Sequence, residues 1–451
     1  MALRLRNLAS CFEGVVPSII ATAAADGTPN ISYLSHVVMI DDDHVGLSNQ
    51  FFTQTSANLR DNPYATILIV DGLHGAQVRL EASFVETIDH GPLFDTVATQ
   101  LNASSAQVGM AGIMRLRGVD IFRVNHLELF PSPVYAPIEP AADEPRLNLC
   151  ATLARTIAGL REIDAIVDAA LDGLSGALGY ESVLILVSDP TDHVLTTIGS
   201  RGYTHSGIGS EVPVGIGIIG AAALDRRPVK VSDMSRVRRY SAAVEASSLD
   251  ENQTRAVALP VRSDTLSQIA IPMIAGGKLQ GILAVESRRR LAFSSQDEAA
   301  LTIIASHMAA ALALSEALSQ EPQAIDTQPP VRNTPGKTFQ VVHYAFDDSV
   351  FINGEYIIKG VAGRLLIHVL DWYLREGRTS FTNREIRLSK ELRLPDIKDN
   401  LETRLLLLRR RLEDKASPLQ VKRIGRGRFA LELEGVPVLE SPLTNQRSKE
   451  Q

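Results

Sequence analysis

The sequence predicts three joined bodies: a small N-terminal β-barrel, a central α+β domain and a basic C-terminal domain of helices closed by a hairpin. Three observations lead there. Two proline-rich stretches, 131–146 and 318–337, interrupt the chain. The body before the first is rich in strand-like runs, while the body between them has helical patterns at its edges and strands inside. Positive charge gathers in the body after the second.

Composition sets the outer bounds. The chain has 451 residues, 45% hydrophobic, 22% charged and 5% aromatic, an ordinary globular balance that excludes disorder, collagen and a disulfide scaffold. A net charge of -7 argues against a purely electrostatic nucleic-acid coat protein, although one basic domain can sit inside an acidic total. Cys11 and Cys150 cannot by themselves build a zinc or iron–sulfur site. They imply no disulfide framework, which favours a reducing compartment, and the expected location is the cytoplasm. No run reaches the ~18 apolar residues of a membrane span, and the nearest, Ile303–Leu314, carries His307. Early arginines give the N-terminus a leader-like look. Glu13 breaks its apolar stretch, and Asp26-Gly27 reads as a turn, so it is assigned to the first domain.

Proline fixes φ and removes a donor, so five prolines in 131–146 and four in 319–337 mark spacers. The bodies are therefore 1–130, 147–317 and 338–435, with a polar tail over 436–451.

In the first body, Ser18–Ala24, Asn30–Met39, His44–Ser48, Tyr64–Val70, Gln77–Val85 and Asp120–Val124 read as strands. Ala57–Asp61, before Asn62-Pro63, reads as a short helix, and Leu93–Leu101 has helical spacing. Ala21–Pro29 (ATAAADGTP), Leu47–Phe51 (LSNQF), Asn58-Leu59 and Asn62-Pro63, in that order, resemble the pyridoxamine-phosphate-oxidase-like split barrel over about 110 residues. The resemblance implies a flavin mononucleotide, or in some members a deazaflavin or haem, lying across the barrel at a dimer interface. It places the phosphate on the loop after the strand ending near Ser48. The implied cofactor residues are Ser48, Asn49, Gln50, Thr53, Gln54, Thr55 and Asn58. Family members carry an arginine or lysine there, whereas this loop offers hydroxyls and amides, which donate hydrogen bonds but supply no charge. The nearest cations in sequence are Arg60 and Arg79. A barrel kept for dimerisation, with a decayed cofactor site, is the competing reading. His36 either faces a cofactor or is an ordinary strand histidine.

In the second body, Leu147–Leu160 and Ile163–Leu178 have helical spacing. Glu181–Val187, Val194–Ile198, Arg227–Val231, Gln268–Pro272 and Gln280–Glu286 read as strands. A helix begins in Gly215–Ala223, and Ser294 is placed to cap a long helix over Ala299–Ala317. Gly215–Gly220 (GIGIIG), Arg227-Pro228-Val229, Asp233, Ile271-Pro272 and Gly281-Ile282-Leu283 are together similar to a GAF domain across the whole body. The glycines spell G-x-G-x-x-G, yet Pro213 disfavours the buried strand a dinucleotide fingerprint requires. The resemblance implies a small-molecule ligand of unknown identity. A covalently attached bilin is excluded, because no cysteine follows Cys150. Arg236, Arg238, Arg239 and Tyr240 either line a lid or form a solvated loop.

In the third body, Phe339–Tyr344, Ser349–Ile352 and Tyr356–Ile358 read as strands and Val361–Leu374 as an amphipathic helix. Thr382 caps a second helix, Leu401–Leu412 forms a third, and Val421–Ile424 with Phe429–Leu433 form a hairpin. This order is similar to a response-regulator-type winged helix over about 95 residues. Between 400 and 428 lie nine basic and three acidic residues. The resemblance and this charge imply DNA binding through Arg404, Arg409, Arg410, Arg411, Lys422, Arg423, Arg426 and Arg428. Two other readings stand beside it: winged helices also bind proteins, and these arginines can pair with the acidic first two bodies. Leu405–Leu408 places part of the third helix in a core.

The sequence thus reads as a cytoplasmic, homodimeric sensor and regulator, without a membrane segment, metal site or visible catalytic constellation. Barrel and central domain take a redox or small-molecule input, and the basic domain gives output, to DNA. The alternative is an FMN-dependent oxidoreductase regulated by its other domains, with the flavin supplying the chemistry.

Overall fold

The computed structural model describes residues 4–34, 36–50, 53–107, 115–130, 144–189, 193–235, 254–260, 262–319, 338–389, 392, 401–425 and 427–440. The N-terminal domain is a seven-stranded antiparallel sheet. Its strands are β1 (Ser18–Ala23), β2 (Pro29–Leu34), β3 (Val37–Met39), β4 (His44–Asn49), β5 (Tyr64–Val70), β6 (Gln77–Ile88) and β7 (Gly118–Phe130), in the order β2-β1-β5-β6-β7-β4-β3. Asn30–Met39 was expected as one strand, but it is two, and they form opposite edges of the sheet. Only two residues separate Leu34 from Val37, a reach of at most ~11 Å. The two edges must therefore lie close together, and the sheet curls into a barrel. Irregular pairing of β6 with β7 near Glu81 and Phe84 supplies part of the bend. Alternate residues such as Ile20, Val45, Leu47, Ile67, Ile69, Leu80 and Phe122 fill the interior, joined by Leu5, Leu8 and Cys11 of the 3-10 helix Leu5–Phe12. Helix α1 (Gln54–Asp61) follows the loop after β4, and α2 (Pro92–Gln107) follows β6.

The middle domain begins with α3 (Glu144–Gly159) and α4 (Ile163–Asp172). Its sheet contains β8 (Ser182–Asp189), β9 (Val194–Arg201), β10 (Glu211–Pro213), β11 (Val229–Val231), β12 (Ser267–Ala275) and β13 (Lys278–Ser287). The order is β10-β9-β8-β13-β12-β11. Both faces are covered, which explains the near-continuous apolar strands. Val183, Ile185 and Val187 pack toward α3, α4 and α6 (Ser295–Ser319), while Leu184 and Leu186 pack toward α5 (Gly217–Asp225). The glycine run turns β10 into α5 rather than joining parallel strands. Gly217 has φ 65°, and a Cβ on Gly220 would meet the Pro213 carbonyl at 2.4 Å. As expected, Ser294 caps α6: Asp297 N donates to Ser294 Oγ at 3.2 Å, and Ser294 N donates to Asp297 Oδ2 at 2.9 Å. Helix α6 is long and apolar enough to cross a membrane by length and composition, but Leu301, Ile304, Ala305, Met308 and Leu312 are buried in the domain core.

The C-terminal domain opens with β14 (Thr338–Tyr344), β15 (Ser349–Ile352) and β16 (Glu355–Ile358). Helix α7 (Gly360–Glu376), β17 (Ser380–Thr382), α8 (Asn383–Leu388) and α9 (Leu401–Asp414) follow, then β18 (Leu419–Gly425), β19 (Arg428–Leu433) and β20 (Val436–Glu440). The sheets run β16-β15-β14-β20 and β17-β19-β18. Thr382 caps α8 in a reciprocal box with Glu385. The expected polar tail does not begin at 436: Val436–Glu440 pairs in parallel with β14. Pro437 is tolerated because β20 is an edge strand.

The three bodies touch. Glu13 accepts from Lys230 at 2.8 Å and from Ser232 at 2.7 Å, and Arg227 pairs with Asp95 of α2 at 3.0 Å. Arg255 lies 4.0 Å from the Tyr344 ring and 4.7 Å from the Phe346 ring, beside Asp347.

Candidate functional sites

The barrel residues singled out from the sequence do come together. Extended β1 and β2 present Thr22, Asn30 and Ser32 toward the first turns of α1. Asn30 Nδ2 donates to Thr55 Oγ1 at 3.0 Å, and the hydroxyls of Ser32 and Thr55 are 2.9 Å apart. Asn58 Nδ2 donates to Thr22 Oγ1 at 3.1 Å, and Gln54 Nε2 to Asn58 Oδ1 at 2.8 Å. Asn49 Nδ2 donates to Asp120 Oδ2 at 3.1 Å, and Thr87 Oγ1 to Asp120 Oδ1 at 2.6 Å. Burial pushes the Asp120 carboxyl above its ordinary range. Ser48 Oγ accepts from His36 N at 3.2 Å. Thr53 occupies the N-cap position of α1 without a side-chain capping bond.

Two groups stand outside this network. Gln50 is only 4% exposed, and neither of its amide atoms has a hydrogen-bond partner. His36 Nδ1 is likewise sealed from water without a partner, and burial pulls the imidazole down to about 4, so it is neutral at pH 7. A buried amide without a partner, next in sequence to Asn49 of that network, fits a ligand with neutral donors and acceptors. The flavin phosphate does not find what it needs. Arg60 Nε donates to the Ser56 carbonyl at 3.3 Å, and Arg79 is occupied by Glu128 and Glu81. Among the described residues, the matched stretch contributes no cation to a dianion.

The middle domain carries a buried polar cluster on the α5 side of its sheet. Glu286 accepts from Thr265 Oγ1 at 2.9 Å and from Gln268 Nε2 at 3.3 Å. Burial raises its carboxyl to about 7. Tyr203 lies alongside, and its hydroxyl is raised by the same burial. Nothing in the sequence singled out this group, since Glu286 ends an otherwise apolar strand. The expected lid residues Arg236, Arg238, Arg239 and Tyr240 lie outside the described residues.

The basic cluster of the C-terminal domain is largely engaged within the chain. Arg409 pairs with Asp164. Arg410 pairs with Asp168 at 2.6 Å and donates to the Ile198 carbonyl at 3.0 Å. Arg423 pairs with Glu162. Arg411 was expected on a DNA-facing surface but is 1% exposed. Its Nε donates to the Ile357 carbonyl at 2.9 Å and its Nη2 to the Tyr356 carbonyl at 3.3 Å, so it ties α9 to β16. Lys422 pairs with Glu432 on the adjacent strand at 2.8 Å. Arg404 and Arg428 are half-buried on α9 and β19, and Arg426 lies outside the described residues. The missed partners are Glu162, Asp164 and Asp168. Their signal was present: Asp164 and Asp168 are four apart on α4, opposite the buried Ile163, Ile166, Val167 and Ala170.

Comparison with known proteins agrees with the first two bodies. Residues 7–128 match the pyridoxamine 5'-phosphate oxidase family and residues 161–313 match the GAF domain family. The chain therefore carries a split-barrel domain of that type followed by a GAF domain. Similar solved structures include the GAF domain of an Acinetobacter phosphoenolpyruvate-protein phosphotransferase, at 16% identity, covering 40% of this chain and 98% of that chain, with a TM-score of 0.31. A free methionine-R-sulfoxide reductase from Neisseria meningitidis, solved with its substrate, is 19% identical over 41% of this chain and 98% of that chain, with a TM-score of 0.31. An FMN-binding protein from Syntrophomonas wolfei is 16% identical over 28% of this chain and 86% of that chain, with a TM-score of 0.24. Comparison with curated proteins gave no match.

Proposed function

We propose that this chain is a regulator in which the split barrel and the GAF domain receive a redox or small-molecule signal and a winged-helix-like C-terminal domain delivers it to DNA. The observation that carries the output half is the concentration of nine basic residues between 400 and 428 in sequence, of which Arg404, Arg409 and Arg410 lie on α9 and Lys422, Arg423 and Arg428 on the hairpin that follows it. Arginine forks suit phosphate, and a helix followed by a hairpin can engage a groove and its flanking backbone. The input half is supported by the two family matches and by the buried, unpartnered amide of Gln50 just after β4. For the barrel, the proposal is a weakly held, exchangeable flavin, since the loop lacks a cation for its phosphate.

A homodimer is part of the proposal. On one face of the barrel sheet, Ile31, Tyr33 and Tyr64 are 68%, 76% and 67% exposed, an apolar patch suited to a second copy. Binding to a mixed-sequence duplex at low salt tests the output. A steep loss of affinity with added salt is expected, and an affinity that does not change with salt would remove phosphate contacts from the reading. The oxidoreductase alternative draws on the same Gln50 and neutral His36. Its test is the absorption spectrum of the purified protein before and after added flavin: a stoichiometric flavin band with substrate-dependent bleaching would favour the enzyme.

A further inference from the structure

We infer that helix α4 of the GAF domain masks the arginine face of α9, so that this face must be released before the C-terminal domain can engage nucleic acid. The inference rests on the DNA reading proposed above. Three arginines expected at phosphates instead end on carboxylates of one short stretch. Arg409 reaches Asp164, Arg410 reaches Asp168 at 2.6 Å, and Arg423 reaches Glu162. Carboxylate and phosphate oxygens make the same charge-assisted contacts to a guanidinium. The two partners therefore compete for the same nitrogens.

The contact is also apolar. Leu401, Leu405, Leu408 and Leu412 of α9 pack into their own domain, but Leu406, 1% exposed, packs into the GAF core. Asp414 accepts from Ser206 at 2.7 Å on the same seam, and Lys359 pairs with Glu211 at 3.0 Å. Release would expose Leu406, a cost that favours the closed arrangement. The carboxylates lie off the buried face of α4, where Asp164 in the first turn also suits the helix dipole. Its buried residues are Ile163, Ile166, Val167, Ala170 and Leu171, and Glu162, at the N-cap position, makes no side-chain capping bond.

The test uses the full chain and a fluorescent mixed-sequence duplex of about 30 bp, roughly three helical turns. The variant Glu162→Gln/Asp164→Asn/Asp168→Asn keeps shape and removes three charges. Asp26→Asn/Glu86→Gln/Asp89→Asn, on the exposed barrel surface, makes the same change in net charge elsewhere. The first variant should bind about tenfold or more tightly than the parent, while the second stays within about threefold. In the first variant, amide hydrogen exchange should rise across 401–414 while 163–172 keeps its protection. Adding Arg409→Ala and Arg410→Ala to the first variant should reduce the salt slope of log K by about two. Equal affinity of parent and first variant, with both binding, would overturn the masking and leave DNA binding standing. Tighter binding by both variants alike would reduce the effect to net charge and also overturn it. If no form binds, the DNA reading falls and the masking with it.

Discussion

The barrel nest and the arginine seam solve the same problem in opposite ways. Both gather polar side chains whose unpaired burial would be costly. The barrel satisfies its groups locally with neutral amides and hydroxyls, leaving Gln50 and His36 Nδ1 over. The seam satisfies full charges with partners as far away as 261 residues in sequence, Arg423 with Glu162. A nest closed on itself, with two buried groups beside it left unpartnered, points inward to a small ligand. Charges satisfied by another domain point to a contact that a competing anion can replace.

The largest expected effect separates the arginines of α9 from one another. Arg411→Met would leave the Tyr356 and Ile357 carbonyls without their donor inside the protein, costing about 2–4 kcal/mol. Arg409→Ala, in a partly exposed pair, should cost about 1 kcal/mol or less. The chain has one tryptophan, Trp372 in α7, so urea unfolding followed by its fluorescence reads this domain alone. Equal midpoints for the two variants would erase the distinction between an arginine that builds the domain and one that docks it.

The second effect concerns Glu286. Its folded-state carboxyl lies at about 7 against an ordinary 4.5, so the native protein holds an extra proton between those values. Stability in the GAF domain should therefore fall as pH rises from about 4.5 to about 7 and level off beyond. Glu286→Gln should remove that slope and stabilise the domain by about 1–3 kcal/mol at pH 8, with little change at pH 4. Hydrogen exchange of β12 and β13 amides at several pH values measures it. An unchanged slope in the variant would place the pH dependence elsewhere.

Why some of this could be read from the sequence and some could not follows from range. Tyr64–Val70 was legible to the residue because its β-branched content is local and bounded by turns. Asn30–Met39 was not, because the break between Leu34 and Val37 reflects closure of the whole sheet. Val436–Glu440 reads as a tail, since its parallel partner β14 lies about a hundred residues earlier. The composition of the barrel site and of the basic helix was plain. What satisfied each was not: the arginines look free until α4 is folded against them, and a buried glutamate at the end of an apolar strand carries no local mark.

The smallest effect sharpens the barrel's side of the comparison. If the nest recognises only the neutral part of a flavin, the phosphate contributes little. FMN and riboflavin should then bind within about threefold of each other, where a cation on the phosphate would add ~1.5–3 kcal/mol, or roughly tenfold or more. Thr53→Arg places a guanidinium at the start of α1, within the stretch where family members carry their basic residue. It should restore a preference for FMN of about tenfold without tightening riboflavin. Flavin fluorescence quenching on titration measures both ratios. A parent that already prefers FMN by tenfold or more would mean that a cation from elsewhere in the assembled protein reaches the phosphate. The nest would then be as dependent on a distant charge as the arginine seam is.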